Sequence, residues 1–166
     1  MTELPLVSRY AKLLPPDEPD GPFLYATDHV VTWGDTSKVG YLYYSRLIEW
    51  QGHLRELFAL DFLDEYVRML LQGHLMLTQS LSCEYLREID LGDTISERLA
   101  VSWVNGPRML GDFTYHRATP SGEELVARGQ QMWVNATPQG HPAPWPPSVL
   151  DTCRQLNIDV AEALTA

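Results

Sequence analysis

Cysteine is scarce in this chain: only Cys83 and Cys153 occur, far apart and in no Cys-x-x-Cys or Cys/His spacing. That argues against a disulfide framework or a zinc finger and makes a reducing cytoplasm the expected compartment. Positive charge is scarce too. Lys and Arg number 12 against 22 Asp and Glu, a formal net charge of −10, whereas a nucleic-acid binder needs a basic face to displace counterions. The same balance disfavours docking on an anionic membrane. No apolar run approaches the ~18 residues that span a bilayer. The opening "MTELPLVSRYAKLLPPDEPDGP" lacks a basic stretch followed by an apolar core, so it does not read as a signal peptide. His29, His53, His74, His116 and His141 form no HxH or HxxxH pair. A metal site is therefore not expected.

What remains is a soluble α+β pattern long enough, at 166 residues, to bury one core. Residues 1–24 hold five prolines and read as an irregular arm. "YATDHVVTW" at 25–33 has strand character. Over 41–59, Tyr43, Tyr44, Leu47, Trp50, Gln51, Leu54 and Phe58 recur at three- and four-residue steps, the apolar face of a long helix. A shorter helix is expected at 62–72, closed by Gly73. Beyond it the period changes to that of strands. "HLMLTQSLSCEYLRE", "DTISERLAVSWV", "RMLGDFTYHRA" and "LVARGQQMWVNA" are separated by short turns, Asn105-Gly106-Pro107 among them. The expected organisation is an arm at 1–24, one α+β domain at 25–140 with a five-stranded, mostly antiparallel sheet wrapping the long helix, and at 141–166 a proline-rich tail with a short helix.

The junction "WGDTSKVGYLYYSRLIEW" resembles the active-site segment of hotdog-fold thioesterases of the 4-hydroxybenzoyl-CoA thioesterase type, which runs Gly-Asp-x-Asp-x-x-Gly and on into a helix. "WQGHLRE" at 50–56, "SCEYLREIDLGDTI" at 82–95, "FTYHR" at 113–117 and "ARGQQ" at 127–131 are similar to blocks of the enediyne-biosynthesis acyl-carrier-protein thioesterases within that group. The resemblance covers roughly residues 28–137. The chain departs from it at Ser37, where relatives carry Asp or Asn, at Tyr41 in place of Asn, and at Arg46-Leu47 in place of Asn-Tyr.

For the site, the resemblance implies that N–H groups at Gly40 and Tyr41 start the helix and hold the thioester oxyanion, and that Arg55 assists them. Asp35 is either the loop's anchor or a general base. Ser37 orients water or only fills space; no histidine stands beside it to make it a nucleophile. Tyr44, Leu47, Gln51 and Lys38 are candidates for contact with substrate, with Lys38 and Arg46 forming a basic rim for an acidic carrier domain.

The activity implied is release of a polyene β-keto thioester from the acyl-carrier domain of an iterative polyketide synthase, followed by decarboxylation, with no cofactor or metal needed. A thioesterase of free CoA esters and a non-catalytic acyl-binding protein are the alternatives. The sheet edge left open by such a fold implies self-association, as a dimer or tetramer with sites at the interface.

Overall fold

The computed structural model describes residues 5–162. Along the chain run β1 (Lys12–Leu14), β2 (Leu24–Val30), α1 (Ser45–Phe62), α2 (Asp64–Leu71), β3 (Leu75–Tyr85), β4 (Thr94–Asn105), β5 (Arg108–Thr119), β6 (Gly122–Ala136), α3 (Pro147–Gln155) and β7 (Asp159–Val160). The sheet has seven strands rather than five, in the order β1-β2-β4-β5-β6-β3, with β7 beside β4. All pairings are antiparallel except that of β7 with β4. The two additional strands, β1 and β7, are only 3 and 2 residues long.

Alternation builds the inner face. Ile95, Glu97, Leu99 and Val101 on β4 point inward, as do Phe113 and Tyr115 on β5. Register shifts interrupt the ladders at Thr78/Ser80, Val101/Trp103 and Tyr115/His116. Such bulges sharpen the local twist, and the sheet curls around α1. That helix lays Leu47, Gln51, Leu54, Phe58 and Ala59 against the sheet.

The helix begins at Ser45, four residues later than the spacing of Tyr41–Tyr44 suggests. Tyr41 and Leu42 are drawn instead into isolated antiparallel bridges with Asp90 and Thr36, Leu42 N–H donating to Ile89 O at 2.8 Å, and Tyr43 N–H donates to Asp35 O at 2.7 Å. The Tyr41 carbonyl accepts Ser37 N–H at 2.8 Å rather than a helical amide four residues on, and Tyr43 and Tyr44 lie exposed instead of on the core face.

The first half of α1 is pinned by a buried polar cluster. Glu97, fully buried, lies 2.9 Å from His29 Nε2 and 3.0 Å from the Tyr115 hydroxyl, which is also 2.9 Å from Leu47 O. Trp50 stacks on the His29 ring at 4.0 Å. Burial drives the Glu97 carboxyl above its ordinary range, against the opposing pull of His29 and Tyr115.

β3 differs from the other long strands. It lies at an end of the sheet, pairs only with β6, and leaves Leu77, Leu81 and Tyr85 exposed. No helix among the described residues is long and apolar enough to cross a membrane.

Candidate active site

The sequence-predicted residues fall into two groups. Asp35, Ser37, Lys38, Gly40, Tyr41 and Tyr44 belong to the loop between β2 and α1, and Leu47, Gln51 and Arg55 belong to α1. Arg55 is ten residues beyond Ser45, which sets it about 15 Å along the helix axis from the loop.

The loop is built around Asp35. A short 3-10 turn, Trp33–Asp35, is capped reciprocally by Thr32 and Asp35. Asp35 accepts the Thr32 N–H at 2.8 Å and the Thr32 hydroxyl at 2.7 Å, and Arg46 Nε lies 3.6 Å away. Partial burial raises the Asp35 carboxyl, but the two Thr32 bonds and Arg46 outweigh it and hold the group below its usual range. Such a carboxylate is a poor proton acceptor and a good anchor.

Arg46 is spent inside the loop, donating to Gly34 O at 2.7 Å and pairing with Glu49 at 2.7 Å. It therefore forms no outward rim with Lys38, which stays exposed. Ser37 and Gly40 close a turn in which Gly40 N–H donates to Ser37 O at 3.0 Å, with Gly40 at φ +90°. That bond consumes the Gly40 amide, and neither it nor Tyr41 N–H stands at the helix start. Tyr41 N–H has no backbone acceptor among the described residues. Tyr41 borders a groove of about 320 Å³ against Tyr85–Ile89, and the Tyr44 carbonyl accepts the Tyr85 hydroxyl.

Leu47 is fully buried on the sheet-facing side of α1, so it contributes to the core and not to a surface that substrate reaches. Gln51 is also fully buried. Its Nε2 donates to Ser82 O at 3.2 Å, and its Oε1 accepts from Gln131 Nε2 at 3.2 Å. Gly129 makes room for it: a Cβ there would overlap Gln51 Nε2 and Ser82 O.

Gln131 Oε1 then accepts both Trp133 Nε1 at 2.8 Å and Arg55 Nη1 at 3.3 Å. Arg55 Nη1 also donates to Thr78 Oγ1 at 2.7 Å, and the guanidinium carbon sits 6.0 Å from the Trp133 ring centroid. Only Nη1 is committed to the described residues. Nη2 and Nε remain as a directed pair of donors. Burial lowers the Arg55 pKa, and Glu56 opposes the shift.

Arg55 stands at one end of a cavity of about 430 Å³, lined by Ala59 and Leu60 of α1, Val67 and Leu70 of α2, and 74–77 on the approach to and start of β3. That volume is in the range of small-molecule sites. The lining is apolar apart from Arg55, Glu56 and His74. An arginine with two unspent donors at the mouth of an apolar channel suits a carbonyl carried on a hydrophobic chain.

Thr78, Gln131, Trp133, Val67 and Leu70 were not anticipated as site residues. A trace of the first group was visible: Gly129, Gln131 and Trp133 share one face of β6, and a glutamine at an inward position of a long strand asks for a buried partner. Among the described residues no group of three or more His, Cys, Asp or Glu is arranged to hold a metal.

The thioesterase-like superfamily pattern matches residues 31–153, most of the chain and all of this site. The chain belongs to this family. It is a thioester hydrolase with the hotdog fold. The dynemicin thioesterase, whose crystal structures reveal induced-fit and allosteric effects upon polyene binding, is 26% identical, with a TM-score of 0.72 over 84% of this chain and 99% of that one. A 1,4-dihydroxy-2-naphthoyl-CoA thioesterase from Synechocystis is 19% identical, with a TM-score of 0.69 over 81% of this chain and 98% of that one. The 4-hydroxybenzoyl-CoA thioesterase of Pseudomonas sp. strain CBS-3 is 15% identical, with a TM-score of 0.67 over 78% and 99%. No curated protein sequence matches the chain.

The Asp35 geometry yields a prediction. Asp35→Asn keeps one acceptor for Thr32 and loses the charge, and is expected to cost about 1 kcal/mol, a fall in Tm of about 2–4 °C. Thioester turnover should stay within a few-fold of wild type. A folded variant of unchanged Tm that has lost turnover would make Asp35 the base.

Proposed function

We propose that the protein hydrolyses a polyketide-derived polyene β-keto thioester, carried on the acyl-carrier domain of an iterative polyketide synthase, in enediyne biosynthesis. The observation that carries this reading is Arg55, fixed by Thr78 and Gln131 at the end of an apolar channel. The likeness to the dynemicin thioesterase supports it, as does Ser37 standing where a hydrolase of free CoA esters would want a carboxylate.

In the reaction, water adds to the thioester carbonyl and negative charge grows on its oxygen. Arg55 Nη2 and Nε stabilise that charge. The C–S bond then breaks, and the proton from water ends on the departing pantetheine thiolate. The released β-keto acid loses CO2 to give a ketone. The setting is a reducing cytoplasm, consistent with the free thiols of Cys83 and Cys153.

The loop and Arg55 are too far apart in one chain to share a carbonyl. A second copy resolves this. The open edge of β3 is suited to antiparallel pairing with itself about Ser80. Such pairing sets Tyr85 of one copy opposite Leu75 of the other. The loop held by Tyr85, with the unspent Tyr41 N–H and the Ser37 hydroxyl, then comes beside the other copy's Arg55 channel. Lys38 is the exposed cation of that loop available to an acidic carrier domain.

Two measurements test this. Sedimentation velocity at micromolar protein is expected to show a dimer or its doubled form; a monomer contradicts the shared site. Incubation with a carrier-bound polyene β-keto thioester should release acid and ketone, and Arg55→Ala, with fold and assembly intact, should lose at least ~10²-fold in turnover. Arg55→Lys should recover little, since a point charge does not replace a planar fork. Turnover of free CoA esters with none of the carrier-bound chain would favour a CoA thioesterase, and no turnover of either a binding protein.

A further inference from the structure

We infer that the segment 143–156 fixes α2 in place as the far wall of the acyl channel, and that Trp145 is a positioning residue that sets how long an acyl chain the channel accepts. The inference rests on the reading of the Arg55 channel as the site of a linear acyl chain attached as a pantetheine thioester.

The far side of that channel is α2, which contributes Val67 and Leu70. It has 8 residues, well below the roughly 12–15 at which a helix holds in water unaided. Packing against neighbours must therefore decide where it sits. Its one fully buried residue is Tyr66. The Tyr66 hydroxyl donates to Asn135 Oδ1 at 2.9 Å, and Asn135 Nδ2 donates to the carbonyls of Ala143 at 3.0 Å and Pro144 at 2.9 Å. The Trp145 ring, 2% exposed, lies on Tyr66 with centroids 5.0 Å apart.

The segment is itself immobilised. Pro144, Pro146 and Pro147 restrict its backbone, the Thr152 hydroxyl donates to Phe62 O at 3.4 Å, and Leu156 O accepts from Phe23 N–H at 3.0 Å. A rigid strap thus presses one indole onto the tyrosine that anchors a helix too short to place itself, and the same helix forms the wall of the substrate channel.

Trp145 Nε1 is buried without a hydrogen-bond partner among the described residues. A buried N–H left unpaired is unfavourable, so the ring is present for its bulk and shape. Phenylalanine should therefore replace it, whereas smaller residues should let α2 drift and the channel lose definition at its far end. Contacts near the far end are reached only by long chains, and one methylene in a hydrophobic pocket changes selectivity by about 10–200-fold.

The test is a kcat/KM profile over short, medium and long linear acyl-pantetheine thioesters for the wild-type protein, Trp145→Phe, Trp145→Leu and Trp145→Ala. Trp145→Ala is expected to lose at least about tenfold on long chains relative to short ones, through KM, with kcat on the short chain within about threefold. Trp145→Phe should restore the wild-type profile and Trp145→Leu fall between. Should Trp145→Ala not fold, Trp145→Leu carries the same comparison. A folded variant with an unchanged profile, or with equal loss at every length, overturns the inference. If the wild-type protein turns over none of these esters, the acyl-thioester reading fails. Calorimetric binding of non-hydrolysable long- and short-chain pantetheine amides then reads the channel directly. Loss confined to the long amide in Trp145→Ala supports the wall, and equal binding or none removes it.

Discussion

A pair of side-chain amides lies between the central helix and the sheet, and the geometry of the site follows from it. Gln51 reaches down from α1, gives its N–H to Ser82 O and takes one from Gln131. Both residues are at most 2% exposed, so neither finds water if the other is removed, and each unmet group costs about 1–3 kcal/mol. The pair therefore fixes the rotation of α1 over the sheet more sharply than leucine packing alone would. It also turns Gln131 Oε1 toward Trp133 Nε1 and Arg55. A flexible cation becomes a pre-aimed one because its neighbours leave it a single well-satisfied position. Gly129 is the backbone condition for the arrangement, since any side chain there would occupy the space of the Gln51 amide.

The cluster of Glu97, His29 and Tyr115 does for the start of α1 what the amides do for its middle. Between them the helix is held at two points along its length, and the loop that feeds it is held by the Thr32–Asp35 cap. The outer edge of β3 has no strand partner among the described residues, and both the loop groove and the Arg55 channel border that strand, at Tyr85 and at 75–77 respectively. The loop groove and the Arg55 channel thus lie toward opposite ends of one edge strand, which is why a second copy enters the proposed mechanism.

Much of the architecture was legible in the sequence. The long strands declared themselves through alternation and through the Asn105-Gly106-Pro107 turn, and α1 through its three- and four-residue spacing. Its start was not legible. Tyr41–Tyr44 continue the helical spacing, but bridges to Asp90 and Thr36 hold Tyr41 and Leu42 out of the helix, and those partners are a property of the folded chain. β1 and β7 were too short for any period to register. At the site, Arg55 could be picked out from its motif, while its partners Thr78 and Gln131 lie 23 and 76 positions away in sequence. Leu47 and Arg46 were misplaced because spacing gives a side chain's face and not the depth or the partners it meets there.

The account rests on Arg55 acting through the orientation that Gln131 gives it. A double-mutant cycle on thioester turnover tests that most directly, comparing Gln131→Leu, Arg55→Ala and the double variant, with assembly checked in each. If Gln131 serves to aim the guanidinium, the double variant should be no slower than Arg55→Ala alone, a coupling of about 1–3 kcal/mol. Additive losses would mean that the two side chains act independently, and the amide-held arginine would not be the centre of the site.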